Sequence, residues 1–135
     1  MDFIAVIAAA VASYIFGAIW YGVLAKPWQA AAGLTVEKLK QPGGPQSGSA
    51  MPYVITFAAT LIAAGMVRHI MVASGVEGAV SGLITGLGLG LFIATPWLLT
   101  NYTFAMRPIR LTVIDGGYAT IGSGLMGLVL ALFGV

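Results

Sequence analysis

Asp115 is an acidic side chain placed where acids are rare. It falls about one turn inside a long apolar run, and it is too short to reach far back towards water. An ionisable group at such a place is paired, neutralised or used. Two readings of it stand side by side. In the structural one, a carboxylate in the first turn of a helix is favoured by the dipole and pairs with Lys26, Arg107 or Arg110, which lie at similar depth. In the functional one, Asp115 is the floor of a half-polar pocket lined by Trp20, Tyr21, Trp97, Asn101 and Tyr118, all expected in the same third of the membrane.

The other chemistry-bearing residues are few. Arg68 and His69 are adjacent, so on a helix they point about 100° apart and do not share a partner easily. Arg68 is expected to snorkel to the surface or pair with Glu77. His69 is the only histidine, so within one chain it could serve at most as a single axial ligand to haem or chlorophyll; no metal site is expected. With no cysteine, disulfides and thiolate chemistry are excluded. A Ser-His-Asp set is not expected either, because His69 and Asp115 fall towards opposite membrane faces. No catalytic residues are assigned.

These residues must be positioned by membrane-spanning helices. The chain has 135 residues, of which 59% are hydrophobic and 7% charged, far from the roughly 25% charged of a soluble domain. The expected fold is all-α, a single transmembrane domain over 1–135. It would be an integral membrane four-helix bundle with closely packed Gly/Ala/Ser faces. Spans are expected at about 3–25, 53–74, 78–102 and 112–134, with a flexible loop over 26–52 in which Thr35 caps a short turn. The first run lacks the basic start of a leader, carrying Asp2 instead, and is taken as a retained span.

The third span holds the strongest packing signal. Gly78, Gly82, Gly86 and Gly90 recur every fourth residue and form a bare stripe that admits a neighbouring helix to backbone contact. This marks the span as the expected centre of the bundle, with Gly17 and Gly127 in similar small-residue ladders. The stripe lacks the Lys-Ser/Thr ending of a phosphate loop. Spans two and three, joined by a short turn, are expected to be antiparallel neighbours. Pro96 should free the Phe92 carbonyl and kink the third span near its end.

Lys26, Lys38, Lys40, Arg107 and Arg110 fall on one side of the membrane and Arg68 on the other. The positive-inside rule then puts the loops in the cytoplasm and both termini outside. A net charge of +2 is too small and dispersed for nucleic acid.

Several segments together resemble a family of small bacterial membrane proteins catalogued as domain of unknown function 1761. They are Gly17-Ala-Ile-Trp-Tyr21, Lys26-Pro-Trp28, Arg107-Pro108 with Arg110, Ile114-Asp-Gly-Gly-Tyr118 and Gly124-Leu-Met-Gly127. The resemblance implies four spans in a bacterial inner membrane and no established activity. Small multidrug exporters are similar in size but need a carboxylate deep in the first span, which has only Asp2 at its tip. Membrane glutathione-conjugating enzymes need an Asn-x-x-Glu after an Arg in the second span, and Arg68-His69-Ile-Met-Val-Ala-Ser74 does not supply it.

The expected role is therefore a small non-enzymatic membrane protein, an accessory or packing subunit or a homo-oligomer, in contact with the bilayer or a larger membrane complex. The alternative is a carrier or binding protein for a small amphipathic or cationic solute, using Asp115 and the aromatic cluster. An enzyme acting on a lipid has the least support, since no general-base pair or metal set is apparent.

Overall fold

A computed structural model describes residues 2–135. Met1, and the Asp2 side chain used in the argument about a leader, lie outside the described residues. In order, the elements are α1 (Asp2–Val23), α2 (Ala25–Ala32), α3 (Val36–Leu39), α4 (Met51–Ala73), α5 (Ala79–Leu89), a π-helical turn (Gly90–Ala94), α6 (Thr95–Phe104) and α7 (Ile109–Leu132). Among the described residues there is no strand. Four stretches are long and apolar enough to cross a membrane: Phe3–Val23, Met51–Ala73, Ala79–Phe104 and Ile109–Leu132. The protein is an all-α integral membrane bundle.

The centre of the bundle is α7, not the glycine-striped third span. It packs against α1, α4, α5, α6 and α2. It has the lowest mean hydropathy of the four spans, 1.3 against 2.2 for α1, yet 33% of its most apolar stretch is buried against 17–22% in the others. A helix surrounded by protein has less need of lipid-compatible side chains, so the two trends belong together. Both of its sides are shaved down. One presents Ala119, Ser123 and Gly127 to α5, and the other presents Gly117 and Gly122 to α1.

The closest helix pair is α5 on α7. A Cβ added at Gly82 would overlap the Gly127 carbonyl; at Gly86 it would overlap that of Ser123, and at Gly90 that of Ala119. Nothing larger than hydrogen fits at these three positions. Gly78 is not a rung of this stripe. It precedes α5 with φ +89°, a turn conformation, and nothing lies within 4 Å of where its Cβ would be. On the far side of α7, the Ala5, Ala9 and Ser13 ladder of α1 is fully buried. Ala5 and Ala9 join Ala64, Val67, Met71, Met126 and Leu130 in the main core.

Spans two and three are only slight neighbours, despite the short turn between them. α4 touches α5 sparsely and makes no close backbone approach to α6; it rests on α1 and α7. α5 packs chiefly on α7 instead. A gap between α4 and α6 results.

The 26–52 segment is more ordered than a Gly/Pro-rich composition suggests. Gly33, at φ +71°, ends α2, with Leu34 N–H bonded back to Gln29 O at 2.9 Å, a helix stop that favours glycine. Ala31 and Ala32 bury against Leu111 at the start of α7. Thr35 caps α3 by accepting from Lys38 N–H at 3.2 Å. Beyond it, Gln46 N–H bonds Leu39 O at 2.9 Å and the Tyr53 hydroxyl donates to Pro45 O at 2.8 Å. The loop is thereby fastened at both ends.

The irregularity before Pro96 takes in Phe92, whose carbonyl the proline leaves without its helical donor. The chain widens into the π turn, with Thr95 N–H bonding Gly90 O. The Thr95 hydroxyl also donates to Gly90 O, at 2.8 Å.

Two glycines separate packing from mere composition. Gly86→Leu forces α5 off α7 and should cost more than about 1–3 kcal/mol, read as a large fall in the thermal midpoint of the detergent-solubilised protein. Gly88→Ala, where nothing lies within 4 Å of the added Cβ, should change stability by less than about 1 kcal/mol. Equal tolerance at both would show that α5 does not rest on α7 through this stripe.

Candidate functional site

The chain segment Ile114–Tyr118 meets Gly17–Tyr21 across the α1–α7 contact. The Trp20 Nε1 donates to Ile114 O at 3.0 Å, and its ring covers Gly117, leaving no room there for a side chain. Gly17 in turn makes room for the Tyr118 ring, which stacks on Phe16 with centroids 6.1 Å apart. Gly116 faces the other way, against Thr95. Between these glycine contacts, Asp115 is left pointing into open space.

Its carboxylate is held by two phenols. The Tyr21 hydroxyl donates to Oδ1 at 2.6 Å and the Tyr102 hydroxyl to Oδ2 at 2.5 Å. Both phenols thus aim their O–H groups at the carboxyl oxygens, which accept them. Tyr21 comes from α1 and Tyr102 from α6, so three spans converge on one group. Asp115 lies six residues into α7, about 9 Å along its axis. Among the described residues no lysine or arginine forms an ion pair with it. The expected partners Lys26, Arg107 and Arg110 are not the ones it has.

The open space is a cleft of about 760 Å³, within the size range of small-molecule sites. Of the residues expected from the sequence, Asp115, Tyr21, Trp97, Asn101 and Tyr118 line it. Trp20 does not. Neighbours on a helix diverge by about 100°, so with Tyr21 turned to the cleft, Trp20 turns to Gly117 and acts as an anchor. Trp28 and Gln29 of α2, Thr56 of α4 and Tyr102 complete much of the wall. Trp28 meets Tyr21 edge to face, with centroids 5.9 Å apart. Leu39, Pro45 and Gln46 of the fastened loop line it as well.

Reading the sequence misses Trp28, Gln29 and Thr56 of the lining and, above all, Tyr102. A signal for it was present: Pro108 and Ile109 lie midway between residues 102 and 115, inside the tight turn, so the two positions face each other across an antiparallel hairpin.

The opposite end of the bundle holds a separate cavity of about 550 Å³ that includes Arg68, Glu77 and Val135. His69 is exposed on α4, and no group of three or more metal-ligating side chains occurs among the described residues.

Comparison with known families bears on this geometry. The family described as a protein of unknown function, DUF1761, matches residues 4–131. The chain belongs to this family. The match spans all four membrane segments of this DUF1761 protein, and includes both halves of the Trp-Tyr and Asp-Gly-Gly-Tyr contact. No curated protein and no solved structure matches the chain.

Hydrogen bonds to a charged group contribute roughly 1.5–3 kcal/mol each. Tyr21→Phe and Tyr102→Phe should therefore each lower stability by about that amount in the Asp115 background. In an Asp115→Leu background both losses should shrink towards zero, a coupling that a double-mutant cycle in detergent measures. Undiminished losses would mean the phenols act through packing alone.

Proposed function

We propose that this DUF1761 protein binds a small amphipathic cation from the membrane, with Asp115 as the charge partner. One observation carries the reading: a carboxylate inside a span, bonded on both oxygens by tyrosines and without a basic partner, opens onto a cleft of ligand size. Two phenols orient the charge and spread it, but they do not neutralise it. A bound cation does, and in a low-dielectric setting such pairing is worth far more than in water. The aromatic wall of Tyr21, Trp28, Trp97 and Tyr118 suits an ammonium group, which ring faces attract. The role is one of binding or carriage, not catalysis.

The small-residue faces that favoured a packing subunit are accounted for within one chain, since Gly82, Gly86 and Gly90 meet α7. Assembly into a homo-oligomer or larger complex is not required to complete the cleft.

In orientation, the cleft end carries Lys26, Lys38, Lys40, Arg107 and Arg110, and we assign it to the cytoplasmic side of a bacterial inner membrane. Ser47→Cys and Val135→Cys should then label from opposite sides of sealed vesicles, Ser47→Cys from the cytoplasmic side. Labelling of both from one side would overturn the assignment.

The decisive measurement uses dodecylammonium as probe, added to the protein in phosphatidylcholine nanodiscs and followed by tryptophan fluorescence, since Trp28 and Trp97 line the cleft. Asp115→Asn should weaken binding at least tenfold while the helical circular-dichroism spectrum is retained. His69→Gln should leave the affinity within about twofold, because His69 is exposed on α4 and lines neither the cleft nor its walls. Full binding by folded Asp115→Asn would remove the cation reading.

A further inference from the structure

The cleft does not end at its aromatic wall. A narrower groove of about 250 Å³ continues from it, sharing Ala94, Tyr118 and Ala119 with the larger cavity. The groove follows α7 away from the loop end as far as Met126, between α4 and the π turn, with Ser13 of α1 also in its lining. From Asp115 to Met126 is eleven residues, about 16 Å of helix. Its walls are small: Ala59 and Ala63 of α4 on one side, Gly122 and Ser123 of α7 beneath. The one threonine on the α4 wall, Thr60, has its hydroxyl bonded to Thr56 O at 2.8 Å, so it asks nothing of an occupant. α4 makes no close backbone approach to the π turn or to α6, which leaves the groove open sideways to the hydrocarbon.

Resting on the cation reading above, we infer that the ligand is a single-chain amphiphile. Its cationic amine sits at Asp115 and its unbranched alkyl chain lies in the α7 groove, entering from the bilayer between α4 and the third span. The polarity of the site supports this occupant. The charged end of the cavity lies about one and a half turns inside the loop face, and the apolar end runs on towards the middle of the membrane. That is the order of head and tail of an amphiphile already resting in that leaflet, so it enters without turning over. A compact cation would fill the aromatic end and leave the groove without a role. A second copy of this chain would have to seat a whole helix in a channel of about 250 Å³.

The test compares butylammonium with dodecylammonium in phosphatidylcholine nanodiscs, for the full chain and for Ala63→Phe. Comparing each variant with the parent at fixed chain length cancels partitioning into the lipid. Ala63 is exposed on α4, so the phenyl ring enters the groove without displacing core. Ala59→Phe, also exposed, is a second variant should the first not fold. The expected result is at least a tenfold loss for dodecylammonium, with butylammonium changed less than twofold. Equal effects on the two amines, or none on either, would overturn the alkyl-groove assignment. In that event the cation reading stands if Asp115→Asn still abolishes butylammonium binding. If neither amine binds the parent protein, both readings fall.

Discussion

Backbone contact between α5 and α7 governs the shape of this bundle. Carbonyls of one helix lie where a Cβ of the other would be, at Gly82, Gly86 and Gly90. In lipid there is little hydrophobic drive between helices, so such close van der Waals approach is a main source of association. The pairing occupies one flank of α7 along much of its length. α1, with its own alanine and serine ladder, occupies another. α4 is left with α1 and part of α7, and it makes no close backbone approach to α6. The cleft follows from that division of surfaces and needs no separate cause.

The cleft is given its chemistry by a second contact. Trp20 on Gly117, and Tyr118 in the space above Gly17, lock α1 to α7 with the ring of one helix over the glycine of the other. The rotation this imposes directs Tyr21 and Asp115 to the same point. Tyr102 arrives from α6 through the short hairpin. An acid flanked by glycines at Gly116 and Gly117 could look like a flexible stretch, yet each glycine is in contact with a named side chain. Its carboxylate is the fixed part of the site.

The spans were legible in the sequence, because hydropathy and length decide them. So were five of the six expected pocket residues, because interfacial aromatics and an intramembrane acid gather at one end of the bundle. Trp20 was misplaced because gathering by depth ignores the angle around the helix. The central helix was misjudged for a related reason. A glycine stripe reports that one face is closely packed, whereas centrality requires several packed faces, and in α7 these are spread over Gly116, Gly117, Gly122, Ser123 and Gly127. The ordering of the loop was hidden too. It depends on Leu39, Ala31 and Tyr53 finding partners outside their own turns, while local composition reports only glycine, proline and serine.

The π turn at Gly90–Ala94 has a consequence for how this site could have arisen. A π turn holds one residue more than the α-helix it interrupts, and each added residue rotates the downstream helix by roughly 100°. Everything beyond it, from Trp97 to Tyr102, is turned by that single extra residue relative to an unbroken α5–α6 helix. Tyr102 meets Asp115 only in the turned setting. The site therefore depends on a residue count as much as on residue types: a chain shorter by one between Gly90 and Thr95 could keep every aromatic and every glycine and still aim the hydroxyl away from the acid.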